Sequence, residues 1–220
     1  MDLEQRARSH AALGDSRRLA IVDHLSLGDH TVADLADLTG LPGNLLAHHL
    51  RVMETAGLIE RRGSEGDHRR KYVTLQWDLV PAGPEWPGTP RERVAFVCTA
   101  NSARSQFAAA VWSKTTGSRP YSAGSHPAGR VHPRAVEVAA EHGIDLSAAT
   151  TRGYGLLPRN LDLIVSVCDR AFEEGVPAAP GLAHWSVPDP VPAGTLTAFR
   201  TAFAEIARRV ERLAGPATSS

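Results

Sequence analysis

Two hydrophobic patterns divide this chain. Up to about residue 56 apolar residues recur at helical spacing, whereas beyond residue 93 continuous apolar runs alternate with helical stretches. Residues 5–27 predict two helices broken near Gly14-Asp15-Ser16, with Leu13, Leu19, Ile21, Val22 and Leu25 as apolar faces and Asp15 or Ser16 as the second cap. His30-Thr31 leads into a short helix over residues 32–40, closed by Gly40. After the turn Leu41-Pro42-Gly43 a helix is predicted over residues 44–56. Leu46, Leu50 and Met53 form its buried stripe, so Asn44, Leu45, Ala47, His48 and Arg51 face away. Two strand-like runs, residues 58–62 and 71–75, then bracket a turn-rich basic hairpin tip over residues 63–70.

Past residue 93 the pattern is that of a parallel sheet with crossover helices. Val94-Ala95-Phe96-Val97 is a buried strand, and the Ala-rich stretch over residues 105–114 is the helix that follows. A second short strand is predicted over residues 121–125. The helix after it, over residues 132–142, places Val136, Val138 and Ala139 inside. The apolar run over residues 161–167 reads as a central strand with Cys168 just past its end. Residues 184–190 form a later strand end and a rigid loop, and an amphipathic helix covers residues 196–213.

Between the two patterns, residues 77–90 hold four prolines and two glycines, which exclude helix and central strand. The organisation expected is therefore an N-terminal domain over 1–77, a linker over 78–92, an α/β domain over 93–215 and a frayed tail over 216–220. With 220 residues, 42% hydrophobic and 22% charged, the chain has room for two modest soluble domains. It shows neither an apolar membrane span nor a signal peptide, so a cytoplasmic location and no membrane partner are expected. Two cysteines far apart in sequence argue against a structural bridge in a reducing compartment, and leave a transient catalytic one open.

The chemistry concentrates in Cys98-Thr99-Ala100-Asn101-Ser102-Ala103-Arg104-Ser105, a cysteine and an arginine spaced C-x5-R between strand and helix. A loop in that position can aim successive backbone N–H groups at one point. The helix dipole adds positive potential there, and Arg104 can hold two oxygens of a tetrahedral anion. The same field favours thiolate over thiol, which makes Cys98 a candidate nucleophile near neutral pH. Ser102 and Ser105 can donate to the thiolate or anion, and Asn101 can brace the loop. Ligand sites in such sheets lie outside the carboxyl ends of the strands, so Cys168 is expected to share the crevice with Cys98.

In the N-terminal domain, two short helices joined by a tight turn and followed by a basic hairpin make a helix-turn-helix with a wing. Asn44, Leu45, His48 and Arg51 would face the major groove, while Arg69, Arg70 and Lys71 would lie on phosphates. Winged helices also serve as protein docking modules, and Asp34, Asp37, Glu54 and Glu60 dilute the basic surface. His48 and His49 are adjacent on a helix and diverge, so they are read as solvated or DNA-facing; no metal site is expected.

The stretch over residues 10–75, and above all His48-His49-Leu50 through Gly57-Leu58, resembles the ArsR-type winged-helix repressors. That resemblance implies a homodimer on a pseudo-palindromic double-stranded DNA operator. The cysteines by which arsenite-sensing members of that family work are absent from this region. Residues 93–213, by the Cys98–Ser105 loop and the pair Asp189-Pro190, resemble the low-molecular-weight protein tyrosine phosphatase fold and its arsenate reductases. The resemblance implies Cys98 as nucleophile, Thr99 to Ser105 as the arsenate- or phosphate-binding loop, and Asp189 as general acid, although a turn aspartate fixed between prolines would look the same. Phosphotyrosine phosphatases of this fold place an aromatic residue after the Asp-Pro pair, where this chain has Val191-Pro192. Cys168 stands where thiol-linked reductases keep a resolving cysteine; a buried strand-end cysteine is the other reading. Ala103 takes the place of a second loop cysteine. No bound cofactor is implied, and a reductase would draw on an external thiol such as thioredoxin, glutaredoxin or a small thiol. The remaining readings are a pocket that senses an oxyanion or arsenical without turnover, and a phosphoprotein phosphatase.

Overall fold

The computed structural model describes residues 3–80 and 92–215, which fall into two compact units. Residues 81–91 of the expected linker and the tail 216–220 lie outside the described residues.

The first unit begins with α1 (Leu3–Leu13) and α2 (Ser16–Leu27), separated where Asp15 accepts from the N–H groups of Arg17 and Arg18 and so caps α2. A two-residue strand, β1 (His30–Thr31), follows. It leads into α3 (Val32–Thr39), which Thr31 and Asp34 start with a reciprocal capping box and left-handed Gly40 ends. Next come α4 (Gly43–Thr55) and a hairpin of β2 (Ile59–Gly63) and β3 (Lys71–Leu75), in register from Ile59 opposite Leu75 to Gly63 opposite Lys71. β1 pairs with the other edge of β3, giving the antiparallel order β1-β3-β2.

Leu46, Leu50 and Met53 of α4 are fully buried with Ile21, Leu25, Leu35 and Leu58. Two expectations are corrected here. Leu19 is exposed on α2, because Ile21, Val22 and Leu25 already fill the inward face. His49 is buried, not solvated: it follows His48 by one residue, and that rotation of about 100° carries it to the Leu46–Leu50 side. Burial pushes its pKa down, against the pull of Asp15, whose Oδ1 lies 3.9 Å from Nδ1. Trp77–Leu79 forms a 3-10 turn, and Leu79 and Val80 pack on this core.

The second unit runs β4 (Val94–Cys98), α5 (Arg104–Thr116), β5 (Tyr121–Gly124), α6 (Pro133–Glu141), β6 (Leu163–Ser166), α7 (Asp169–Glu174), β7 (Gly181–His184), α8 (Pro190–Ala193) and α9 (Leu196–Ala214). Its four strands are parallel in the order β5-β4-β6-β7. β4 is buried along its whole length and alternates sides. Ala95 and Val97 join Ala123, Leu161 and Ile164 in one cluster, while Phe96 meets Trp112 and Trp185 with ring centroids 5.9 Å and 6.2 Å away. α9 closes that side through Phe199, Phe203 and Ile206, with Phe203 packed edge-on against Phe107 of α5. Within α6, Ala135, Val138 and Ala139 are buried, whereas Val136, expected inside, is only half-buried.

Candidate functional site

β4 and β6 are adjacent and parallel, so the chain leaves both at the same edge of the sheet. Cys98 is the last residue of β4, and Cys168 lies two residues beyond β6; both are buried. The Thr99 hydroxyl is 3.0 Å from Cys168 Sγ, which places the second cysteine beside the loop headed by the first.

The loop owes its shape to where its carbonyls go. Cys98, Thr99, Ala100 and Ser102 each give their C=O to a backbone N–H of the segment after β5, from Ser125, His126, Ala128 and His132, at 3.1, 2.9, 2.9 and 2.8 Å. In a trans peptide the N–H points opposite to the C=O, so drawing these carbonyls outward turns the next N–H groups inward. One inward N–H has a visible target: Asn101 donates to Cys98 Sγ over 3.2 Å. Gly124 makes room for this packing, since a Cβ there would sit 2.4 Å from Thr99 O and 2.9 Å from Asn101 N. At the end of the loop Ala103 gives α5 no side-chain cap, and the helix N-terminus adds its N–H groups and positive potential to the same place.

Asn101 is in the left-handed region, φ 49°, alone among the described non-glycine residues. Its side-chain amide orientation is fixed by a backbone donor, because the N–H of Arg152 reaches Oδ1 at 2.8 Å. The amide nitrogen therefore donates to Ser105 Oγ and Ser122 Oγ, each at 2.8 Å. With that acceptor position used, the Ser105 hydroxyl has its proton free for Cys98 Sγ, 3.0 Å away. Ser102 contributes its main-chain carbonyl to the framework.

Arg104 is buried at the first turn of α5. Nη1 donates to Val187 O at 2.8 Å, and Nη2 is 3.0 Å from Asp189 Oδ2. Burial alone would weaken its charge, but the neighbouring Cys168, Asp189 and Cys98 hold its pKa above the ordinary arginine value. Asp189, near the end of the segment expected as a rigid loop, precedes α8 and caps it through a 3.2 Å bond from Val191 N to Oδ1. Val191, which follows Pro190, is exposed. Cys168 caps α7, with Ala171 N 3.4 Å from its sulfur. Burial pushes the Cys168 thiol up, only partly offset by Arg104. The structure thus brings Cys98, Thr99, Asn101, Arg104, Ser105, Cys168 and Asp189 together. It adds three groups that the sequence reading passed over: Gln106, Ser122 and the Asp169–His184 pair beside Cys168. Gln106 carries a signal in retrospect, as a glutamine buried in an Ala-rich helix.

In the first unit, Asn44, His48 and Arg51 are exposed at i, i+4 and i+7 on α4, one continuous face. Leu45 is half-buried rather than turned away, and Arg69, Arg70 and Lys71 are exposed on the hairpin. Arg61 and Arg62 are 2.7 Å from Glu54 and Glu60.

A four-stranded parallel sheet carrying a cysteine-headed loop into a helix N-terminus defines a phosphatase-type α/β domain, here in a chain that also holds a helix-turn-helix. The chain belongs to the family described as low molecular weight phosphotyrosine protein phosphatase, whose model matches residues 93–219, and residues 15–61 match bacterial regulatory proteins of the arsR family. An arsenate reductase of Halalkalibacterium halodurans is 36% identical over 132 residues, 55% of this chain and 94% of that protein. One from Staphylococcus epidermidis is 35% identical over 109 residues, 46% of this chain and 79% of that protein. The crystal structure of an arsenate reductase from Archaeoglobus fulgidus superposes with a TM-score of 0.50 at 30% identity, covering 56% of this chain and 99% of that one. A tyrosine phosphatase of Erwinia amylovora, 19% identical with a TM-score of 0.52 over 61% of this chain and 98% of that one, shares the fold. The protein therefore joins an ArsR-type helix-turn-helix region to an arsenate-reductase-like domain of the low-molecular-weight phosphatase family. No helix among the described residues is long and apolar enough to cross a membrane.

Proposed function

We propose that the protein is a DNA-binding regulator whose C-terminal domain reduces arsenate with an external thiol. The observation that carries this reading is the approach of Cys168 to the nucleophile loop, 3.0 Å from the Thr99 hydroxyl at the mouth of the Cys98 strand. The thiolate of Cys98 attacks arsenic, and Asp189 supplies the proton with which one arsenate oxygen departs as water. Cys168, as thiolate, then attacks Cys98 Sγ. The S–S bond forms as the Cys98–As bond breaks, and its electron pair leaves with arsenic, reducing As(V) to arsenite. Thioredoxin, glutaredoxin or a small thiol next reduces the disulfide and restores both thiols. Backbone N–H groups of residues 99–105, the Ser105 hydroxyl and Arg104 bind the oxyanion in this scheme.

The same proposal assigns residues 1–77 to DNA binding, 78–92 to a linker, 93–215 to the catalytic domain and 216–220 to a tail. A cytoplasmic homodimer would read an operator through Asn44, Leu45, His48 and Arg51, with Arg69, Arg70 and Lys71 on phosphates. The test is purified full-length protein assayed for arsenite release from arsenate with each thiol system in turn. Turnover lost in Cys98→Ser and in Cys168→Ser is expected; no turnover with any of the three reductants would sink the enzymatic half. Sensing without turnover gains support from one feature: the chain has two cysteines, both buried, and so no third thiol to carry oxidation outward. In that case arsenate or arsenite would alter DNA affinity of a protein inert in the assay.

A further inference from the structure

Five consecutive carbonyls of the nucleophile loop, from Cys98 to Ser102, are each held from outside. Four are held by backbone donors. The fifth, Asn101 O, accepts from a side chain, Gln106 Nε2, at 3.0 Å. The same amide nitrogen lies 3.1 Å from Asn101 Oδ1 and 3.1 Å from Thr150 O, and Gln106 is buried in the first turn of α5. Because Asn101 C=O and Ser102 N–H point in opposite directions across one trans peptide, whatever holds the carbonyl aims that N–H. The left-handed conformation of Asn101 gives the peptide a reason to relax once released, since an L-residue prefers to leave it.

From this we propose that Gln106 is a positioning residue: by pinning Asn101 O it turns the Ser102 N–H into the anion loop and completes the set of donors. The inference rests on the reading of this loop as an oxyanion site. It differs from a packing role because the four other peptides keep their main-chain anchors whatever stands at position 106. Loss of Gln106 should therefore silence one donor and leave the remainder of the loop in place.

Backbone amide NMR of the full-length protein, titrated with inorganic phosphate, reads this directly. In the wild type the amides of Thr99, Ala100 and Ser102 all shift as phosphate is added. In Gln106→Met the Ser102 amide no longer responds while Thr99 and Ala100 still do, and phosphate binds about tenfold more weakly. Where arsenate turnover is present, kcat falls by about 10²-fold, the scale of one lost oxyanion donor, and KM changes less. Gln106→Glu keeps the length of the side chain but faces Asn101 O with a carboxylate, and decides the matter if the Met variant does not fold. A Ser102 amide that responds normally in the variants overturns the assignment to Gln106 alone. A wild type that binds no phosphate overturns the oxyanion reading as well.

Discussion

At the scale of single residues, the surroundings of Cys168 make its ionisation difficult. Burial raises the Cys168 pKa, and the Cys98 charge adds to that, while Arg104 and the bonds from Thr99 and Ala171 N oppose it. A resolving step that needs the Cys168 thiolate should then quicken as pH rises from 7 to 9, because more of the thiol ionises. Rapid-quench mass spectrometry of one turnover would show disulfide formation accelerating over that range, and a flat profile would remove Cys168 from the limiting step. Next to it, Asp169 Oδ1 is 3.1 Å from His184 Nε2, and the His184 ring stacks on Phe172 with centroids 4.2 Å apart. Burial alone would raise the Asp169 carboxyl, but hydrogen bonds from His184 and Ser186 hold it below the ordinary aspartate value. A carboxylate depressed on folding stabilises the native state above the unfolded value, about 3.9, and that contribution is lost as pH falls through the lower folded value. Asp169→Asn should lower stability at neutral pH and flatten this acid limb, as read by urea denaturation at pH 7 and between pH 4 and 2.

At the scale of elements, the close approach of β5 to the Cys98–Ser105 loop leaves no room for a single methyl group at Gly124. Gly124→Ala places a methyl group against Thr99 O and the Asn101 peptide, backbone that cannot swing aside. The loop must move, and a displacement of that size should cost about 10²-fold in kcat/KM for arsenate with the fold retained. Thr31→Ala removes one half of the α3 capping box and should cost about 1 kcal/mol in denaturant unfolding. Elements of this kind were legible in advance because their signals are local. The Cys98 strand, its loop and the following helix were marked by an apolar run, a spacing and an Ala-rich stretch; α3 was marked by its stop glycine. What stayed hidden depends on partners distant in sequence. β1 exists only because β3 pairs with it, α7 and α8 are short helices capped by Cys168 and Asp189, and Gln106 takes its importance from a carbonyl five residues back. His49 shows the same limit: adjacency to His48 was read as divergence, yet the two rings meet edge to face with centroids 5.6 Å apart, and which of them turns inward was left open.

At the scale of the whole molecule, the two units carry chemistries that can be separated by salt and by thiols. If Arg69 and Lys71 lie on phosphates, replacing both with alanine removes two contacts from each subunit of the proposed homodimer and should reduce the slope of log affinity against log salt by about 4, whatever the DNA sequence. Arg51→Ala on the exposed face of α4 should instead weaken the preferred sequence more than random DNA. A thiol-dependent response to arsenic must have another origin, since residues 3–80 contain no cysteine and the only two in the chain are Cys98 and Cys168. Soft As(III) binds thiolates, so arsenite that regulates DNA affinity by thiol ligation has to do so at that pair. Gel-shift titrations of the full-length protein with and without arsenite, repeated with Cys98→Ser and Cys168→Ser, put this to the test. Arsenite should weaken operator binding of the wild type and leave both variants unchanged, while their arsenite-free affinity matches the wild type. A response that survives in both variants would place the inducer on groups other than thiols. Arsenate alone should act on the wild type only when a reductant is supplied; an equal effect without one would mean that the oxyanion itself is sensed.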